Sequence, residues 1–295
     1  MTAQQTYDDW AARGRTIDWA DSDGNTNEIF VLDQPATANA GNDPLLVLHG
    51  FPTSSYDWAH VLPALCAERR VILLDFLGFG LSSKPDRRYS MRMQADVVEE
   101  VMADLGNPPV AMITHDMGNT VGGELLRRAL EGALQFDITR RVLTNGSIYI
   151  EMAQLSTGQQ LLLSLPDEAT DLVVGEAWKG GIAGTFSEYS SVSNEELETH
   201  WLFAAHNDGN RMMPRTIRYI EDRRKEERRY TGAIEEHASP VGVVWGEDDP
   251  IAVVAMTKTF HEARPDAPIT ILDRVGHYPM VENPQRFVDA VLAYL

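Results

Sequence analysis

The sequence predicts an α/β protein: a mostly parallel sheet with helices on both faces and one inserted block of helices. Three observations carry this. Short apolar runs alternate with stretches of helical spacing. The alternation lapses over 151–236, where helical patterns continue without a convincing buried strand. Three residues able to do chemistry fall just beyond the ends of three expected strands.

In chain order, the first fifty residues read as short strands joined by turns, with Asp23-Gly24-Asn25 as a turn signal. "PLLVL", ending at Leu48, reads as a buried strand, and a helix is expected over 59–69. "VILLDF" is a second buried strand, closed by the turn Leu77-Gly-Phe-Gly80. Over 90–105, Met93, Val97, Val101 and Leu105 recur in helical step. "VAMIT" is a third strand. A helix over 118–130 follows, with Val121, Leu125 and Ala129 on one face. "RRVLTNG" is a fourth strand. "VGVVWG" and "ITILDRV" are two more, separated by a helix over 252–263 and followed by a helix over 284–295.

This divides the chain into a core, 1–150 with 237–295, and a helical insertion, 151–236. An insertion following a strand end lies on the ligand side of such a sheet, so a lid is expected. Ser193 and Glu196 fit a capping box. Pro214 fits the first turn of a helix carrying "RTIRYIEDRRKEERRY", whose charges at 221–229 read as its solvated face.

Composition excludes some classes. Of 295 residues, 43% are hydrophobic and 23% charged, which suits a globular domain with a sizeable core. The net charge of −19 repels phosphate backbones and anionic lipid, so no nucleic-acid or membrane partner is expected. Cys66 is the sole cysteine, so no intrachain disulfide can form, and it reads as a core residue. The N-terminal stretch lacks the pattern of a secretory signal, and no run approaches the ~18 apolar residues of a membrane span. A cytoplasmic protein, monomer or homodimer, is expected. The histidines show no metal-binding spacing, so neither metal nor cofactor is expected.

Asp116 in "THDMG" stands where a strand meets a helix. Alone, it reads as a helix N-cap. His277 in "VGHYPMVENP" and Asp249 in "VVWGEDDPI" change that reading. The order Asp116, Asp249, His277 is the order nucleophile, acid, histidine of the α/β-hydrolase fold. Gly118 lets the helix start close to the strand. In "LHGFP", Gly50 permits an unusual backbone, and the Phe51 amide, with that of Met117, is a candidate oxyanion donor. His49 and His115 read as supporting residues. Glu151, Glu247 and Asp248 are weaker alternatives to Asp249.

"HGFPTSSYDW", "DFLGFGLSSKPDRRYS", "THDMG", "GEDDP" and "GHYPMVENP" resemble the α/β-hydrolases that use an aspartate nucleophile. That group includes epoxide hydrolases and haloalkane dehalogenases, and the likeness is strongest to the mesoderm-specific-transcript-like hydrolases. It covers most of the core and little of the lid. It implies an alkyl ester on Asp116, cleaved by water that His277 activates and Asp249 supports. It also implies a cis bond before Pro52. The substrate expected is a small apolar epoxide, opened to a vicinal diol, or a halide. Dehalogenases place an Asn and a Trp where this chain has Phe51 and Met117, which argues against that branch. An epoxide needs an acid. Tyr219 best matches the family position, Tyr149 follows a core strand, and Tyr189 and Tyr230 are further tyrosines in or near the lid. A non-catalytic binding protein on the same scaffold is the remaining reading.

Overall fold

A computed structural model describes residues 1–38, 41–169 and 173–295. Eight strands form one sheet: β1 (Arg15–Ala20), β2 (Thr26–Gln34), β3 (Leu45–Leu48), β4 (Val71–Leu74), β5 (Val110–His115), β6 (Ile138–Thr144), β7 (Val241–Gly246) and β8 (Ile269–Leu272). Their order is β1-β2-β4-β3-β5-β6-β7-β8. β1 and β2 are antiparallel, joined by a turn at 21–25 in which Gly24 takes φ 81°. β2 also runs antiparallel to β4, and every later pairing is parallel. β3, β4, β5 and β7 are buried along their whole length. That double burial is why they read as unbroken apolar runs. β1 alternates instead, with Ile17 and Trp19 turned inward.

The helices are α1 (Ala3–Ala11), α2 (Leu62–Glu68), α3 (Met91–Asp104), α4 (Met117–Leu130), α5 (Thr157–Ser164), α6 (Gly175–Ala183), α7 (Asn194–Ala205), α8 (Gly209–Thr216), α9 (Tyr219–Lys225), α10 (Glu227–Glu236), α11 (Ala255–Ala263), α12 (Pro279–Glu282) and α13 (Pro284–Leu292). Val97 and Val101 of α3, Val121 and Leu125 of α4 and Phe260 of α11 pack into one apolar layer. Trp10 of α1, Leu65 of α2 and Phe287 and Val291 of α13 pack into the other, which also holds Cys66. α1 is a helix that the apolar pattern does not announce. A capping box from Thr2 and Gln5 starts it.

The block between β6 and β7 contains helices and loops but no strand among its described residues, and its last helix does not lie above the strand ends. α10 lies along α4. A Cβ on Gly123 would stand 2.9 Å from the Tyr230 carbonyl oxygen. Arg229 donates to Glu124, which is buried on α4, at 2.6 and 2.9 Å. The helix expected from Pro214 onward is instead three helices. Pro214 sits inside α8, which ends two residues later, and the backbone breaks again at Glu226. The charges at 221–229 are not all solvated, since Arg223 is buried against the Tyr219 ring. Only half of the capping box at Ser193 forms. The Ser193 hydroxyl accepts the Glu196 amide at 3.1 Å, while the Glu196 carboxylate faces His60.

Candidate active site

β5 delivers Asp116 to the centre of the sheet's C-terminal edge. The residue adopts φ 48°, ψ −117°, and its side chain makes no capping bond to α4. A non-glycine residue at positive φ is held at a cost, and only surrounding structure keeps it there. The N-cap reading therefore fails for Asp116. The packing shows what holds the turn. A Cβ on Gly50 would stand 2.4 Å from the Asp116 Cβ, and one on Gly118 would stand 2.6 Å from the His49 carbonyl oxygen. Only glycine admits approaches this close.

The Asp116 carboxylate is buried and divided between two neighbours. Oδ1 accepts the Phe51 amide at 2.8 Å. Oδ2 lies 3.7 Å from His277 Nε2. His277 Nδ1 is 2.7 Å from Asp249 Oδ2. The other Asp249 oxygen accepts the Ile251 and Ala252 amides at 2.8 and 3.0 Å. The sequence thus brings Asp116, His277 and Asp249 together as expected. Glu247 and Asp248 take no part in this contact. The Phe51–Pro52 bond is cis. The Met117 amide is not among the groups bonded to Asp116, so in this state one of the two expected amide donors is in contact.

The electrostatics follow from geometry. Burial would drive the His277 imidazolium down, but Asp249 and Asp116 on its two sides outweigh that and hold it up. Burial likewise opposes ionisation of Asp116, and the His277 contact overrides it and keeps the carboxyl low. The Asp116–His277 contact thus favours the charged form of both partners.

The two neighbouring histidines each bond to backbone around the site. His49 Nδ1 faces the Gly50 carbonyl at 2.9 Å, and its Nε2 accepts the Phe76 amide at 3.0 Å. His115 Nε2 meets the His277 carbonyl at 2.8 Å, and burial pushes its imidazole down to about 3, so it stays neutral.

The tyrosines separate. The Tyr149 hydroxyl donates to Glu235 on α10 at 3.1 Å, so it is aimed away from Asp116, against expectation. β6 ends five residues before it, and the chain has turned toward α10 by then. Tyr189 is largely exposed. Tyr219 is buried, its ring centre 5.6 Å from that of Phe51. Burial and then the Asp116 charge raise its phenol, while Arg223 opposes them. It therefore keeps its proton.

Two residues at the site escape sequence reading. Asn145, just past β6, donates to Asp249 Oδ2 at 2.8 Å, accepts the Gly246 amide at 2.8 Å, and accepts the Asp116 amide on its carbonyl at 2.9 Å. Glu282 accepts the Gly276 and Tyr278 amides on either side of His277 at 3.0 and 3.1 Å. The only signal of Asn145 is a polar residue at a strand end, which many loops share.

A cavity of about 170 Å³ opens beside His277. Phe51, Pro52, Ile251 and Tyr278 form its core side. Leu162 and Leu165 from α5 and its exit, with Trp178 and Ile182 of α6, form the helical side. Its charged-group chemistry is confined to the His277 edge, so the rest of the chamber suits an apolar, uncharged guest. Among the described residues, no helix is long and apolar enough to cross a membrane.

Comparison with known proteins agrees with this fold. Residues 45–290 match the model of the alpha/beta hydrolase family. A Mycobacterium tuberculosis hydrolase, LipZ, is 39% identical over 97% of this chain and 97% of its own. The mouse mesoderm-specific transcript protein is 34% identical over 90% of this chain and 83% of its own. Among solved structures, an esterase from Thermogutta terrifontis superposes with a TM-score of 0.76 at 18% identity, covering 95% of this chain and 97% of its own. At that identity the likeness shows the fold alone.

Proposed function

The chain belongs to the alpha/beta hydrolase family, and from that premise we propose that it opens small apolar epoxides to vicinal diols through an alkyl ester on Asp116. One observation carries the reading: a carboxylate at a strained turn has one oxygen on an amide and the other free toward an imidazole under an apolar cavity. A carboxylate in that place can attack carbon.

In the first step an Asp116 oxygen bonds to an epoxide carbon and the carbon–oxygen bond breaks. Tyr219 supplies the proton that the departing oxygen needs. Ester formation removes the Asp116 charge, and with it part of what holds the His277 imidazolium protonated. His277 passes its proton on to the tyrosinate and becomes a base. It then takes a proton from water, which attacks the Asp116 carboxyl carbon, while Asp249 supports the renewed imidazolium. The tetrahedral oxyanion forms on Asp116, where the Phe51 amide already points. It collapses by breaking the bond from the carboxyl carbon to the alkoxy oxygen. That oxygen leaves with the remaining proton of the added water as the diol's second hydroxyl, restoring the Asp116 carboxylate and the His277 imidazolium. The helices from α5 to α9 act as the cap that closes the chamber.

Bromoalkane hydrolysis by the same ester is the second reading. It is weaker because neither Phe51 nor Met117 carries a side-chain donor for a departing halide. The test is mass spectrometry of His277→Phe after exposure to a panel of epoxides and bromoalkanes. The expected result is an adduct on Asp116 from the epoxides, accumulating because water is no longer activated. Adducts from bromoalkanes alone would move the assignment to dehalogenation, and an unmodified Asp116 throughout would remove the ester mechanism.

A further inference from the structure

Asp57 is a fully buried carboxylate that the proposed mechanism does not use. It lies in the 3₁₀ turn Ser55–Trp58, directly after the loop that carries the Phe51 amide. Its Oδ2 accepts the Thr53 hydroxyl at 2.6 Å. Its Oδ1 has no hydrogen-bond partner and stands 3.5 Å from Nδ1 of His200, a buried residue of α7. On its other side, His200 Nε2 lies 3.4 Å from Glu196, which meets His60 at 2.9 Å. Asp75 and Asp116 also act on Asp57 through their charge. A buried carboxylate with one oxygen unpaired opposes folding, which calls for a function.

The function can be read from one peptide group. The Gly50 carbonyl faces His49 Nδ1 at 2.9 Å, the Thr53 amide at 3.3 Å and the Thr53 hydroxyl at 3.4 Å. That carbonyl and the Phe51 amide belong to the same planar unit and point to opposite sides. Fixing the oxygen therefore fixes the N–H that reaches Asp116. Thr53 has a single hydroxyl proton, and the shorter contact assigns it to Asp57. Asp57 thus decides where Thr53 stands, and Thr53 bounds the Gly50 carbonyl.

We propose that Asp57 is a positioning residue which, with His200 of α7 and through Thr53, holds the Gly50–Phe51 peptide so that its amide faces the Asp116 carboxylate. The inference rests on the ester reading above and adds a link between the cap helix α7 and the oxyanion loop. It has a step-specific consequence. The oxyanion arises on Asp116 when the ester is cleaved, not when it forms. Disturbing Asp57 therefore slows the second step and spares the first.

The experiment is single-turnover rapid quench with styrene oxide and 1,2-epoxyhexane, reading the ester on Asp116 by intact mass. In Asp57→Asn and in Thr53→Val, ester breakdown should slow by about 10- to 100-fold, while ester formation stays within about threefold. Thr53→Ser, which keeps the hydroxyl, should restore breakdown. Should Asp57→Asn fail to fold, Thr53→Val with its serine control decides alone. Unchanged breakdown, or both steps falling together, overturns the inference and leaves the ester mechanism standing. A wild-type protein that forms no ester with either epoxide removes the mechanism and the inference with it.

Discussion

The chamber has two unlike walls. The strand-end wall presents His277, backed by Asp249 and Asp116, all three nearly inaccessible, and Asp249 alone engages two amides, Asn145 and His277. The α5 part of the helical wall is loosely buried. α5 has no fully buried residue, and its Leu161 is 60% exposed despite being a large apolar side chain. One wall is fixed by hydrogen bonds between sequence-distant strand ends. The other combines buried Trp178 and Ile182 of α6 with an α5 that is nowhere fully buried. Positioning of reacting groups demands the first kind of structure, and accommodation of different guests tolerates the second.

The sharpest way to break this contrast is at Asp116. Asp116→Asn keeps the shape of the side chain and its acceptor for the Phe51 amide, but removes the attacking charge. Turnover of an accepted epoxide should fall by about 10⁴-fold or more, with thermal stability little changed. Retained turnover would mean that another residue is the nucleophile.

Asn145→Ala tests whether the fixed wall depends on its hydrogen bonds. The change leaves the Gly246 amide and one Asp249 oxygen short of a partner in a buried place. A loss of about 1–3 kcal/mol in unfolding free energy is expected, with turnover lower by roughly 10- to 100-fold. Chemical denaturation and steady-state kinetics read the two effects. A stable variant with full activity would show that the sheet scaffold alone holds Asp249 in place.

What could be read from the sequence follows the same division. β3, β4 and β7 were legible because burial on both faces leaves almost only apolar residues in them. Asp116 and Asp249 were legible because each follows a buried apolar strand, and His277 because it follows the last apolar run of the chain. Asn145 was not, since one amide side chain after a strand carries no periodicity. The pairing of Asp57 with His200 was not either, because residues 143 positions apart meet only through the packing of α7. Tyr149 misled for the opposite reason: closeness to a strand end in sequence says nothing about which way the next turn goes. The assignment of α10 to the lid erred likewise. Helical spacing reveals an apolar face but not its partner, and here the partner is α4.

The helical wall makes a smaller, different prediction. Leu162→Ala and Leu165→Ala enlarge the chamber without touching the strand ends. Because both leucines are half-buried, stability should change by about 1 kcal/mol or less. The ratio of kcat/KM for a longer over a shorter alkyl epoxide should move by roughly tenfold. A large fall in kcat common to all epoxides would instead mean that the helices help to position reacting groups, and the contrast between the walls would lose its point.

Asp57 joins the two walls, and pH offers the mildest probe of it. Burial lifts its carboxyl to about 7, with His200 opposing, whereas an aspartate in an unfolded chain ionises near 4. Below about pH 4 both states are protonated, and the residue exerts no pH-dependent effect. Between about 4 and 7 the unfolded chain gives up its proton while the folded protein keeps it. The folded state then binds more protons, so this contribution to stability falls as pH rises and levels off above 7. Asp57→Asn does not titrate. The unfolding free energy of the variant minus that of the wild type should therefore increase by roughly 2–4 kcal/mol from pH 4 to pH 7, then flatten. Urea titrations at a series of pH values measure it. A difference independent of pH would place a permanent negative charge on Asp57, and α7 would then be held to the oxyanion loop by an ion pair with His200 rather than by a neutral contact.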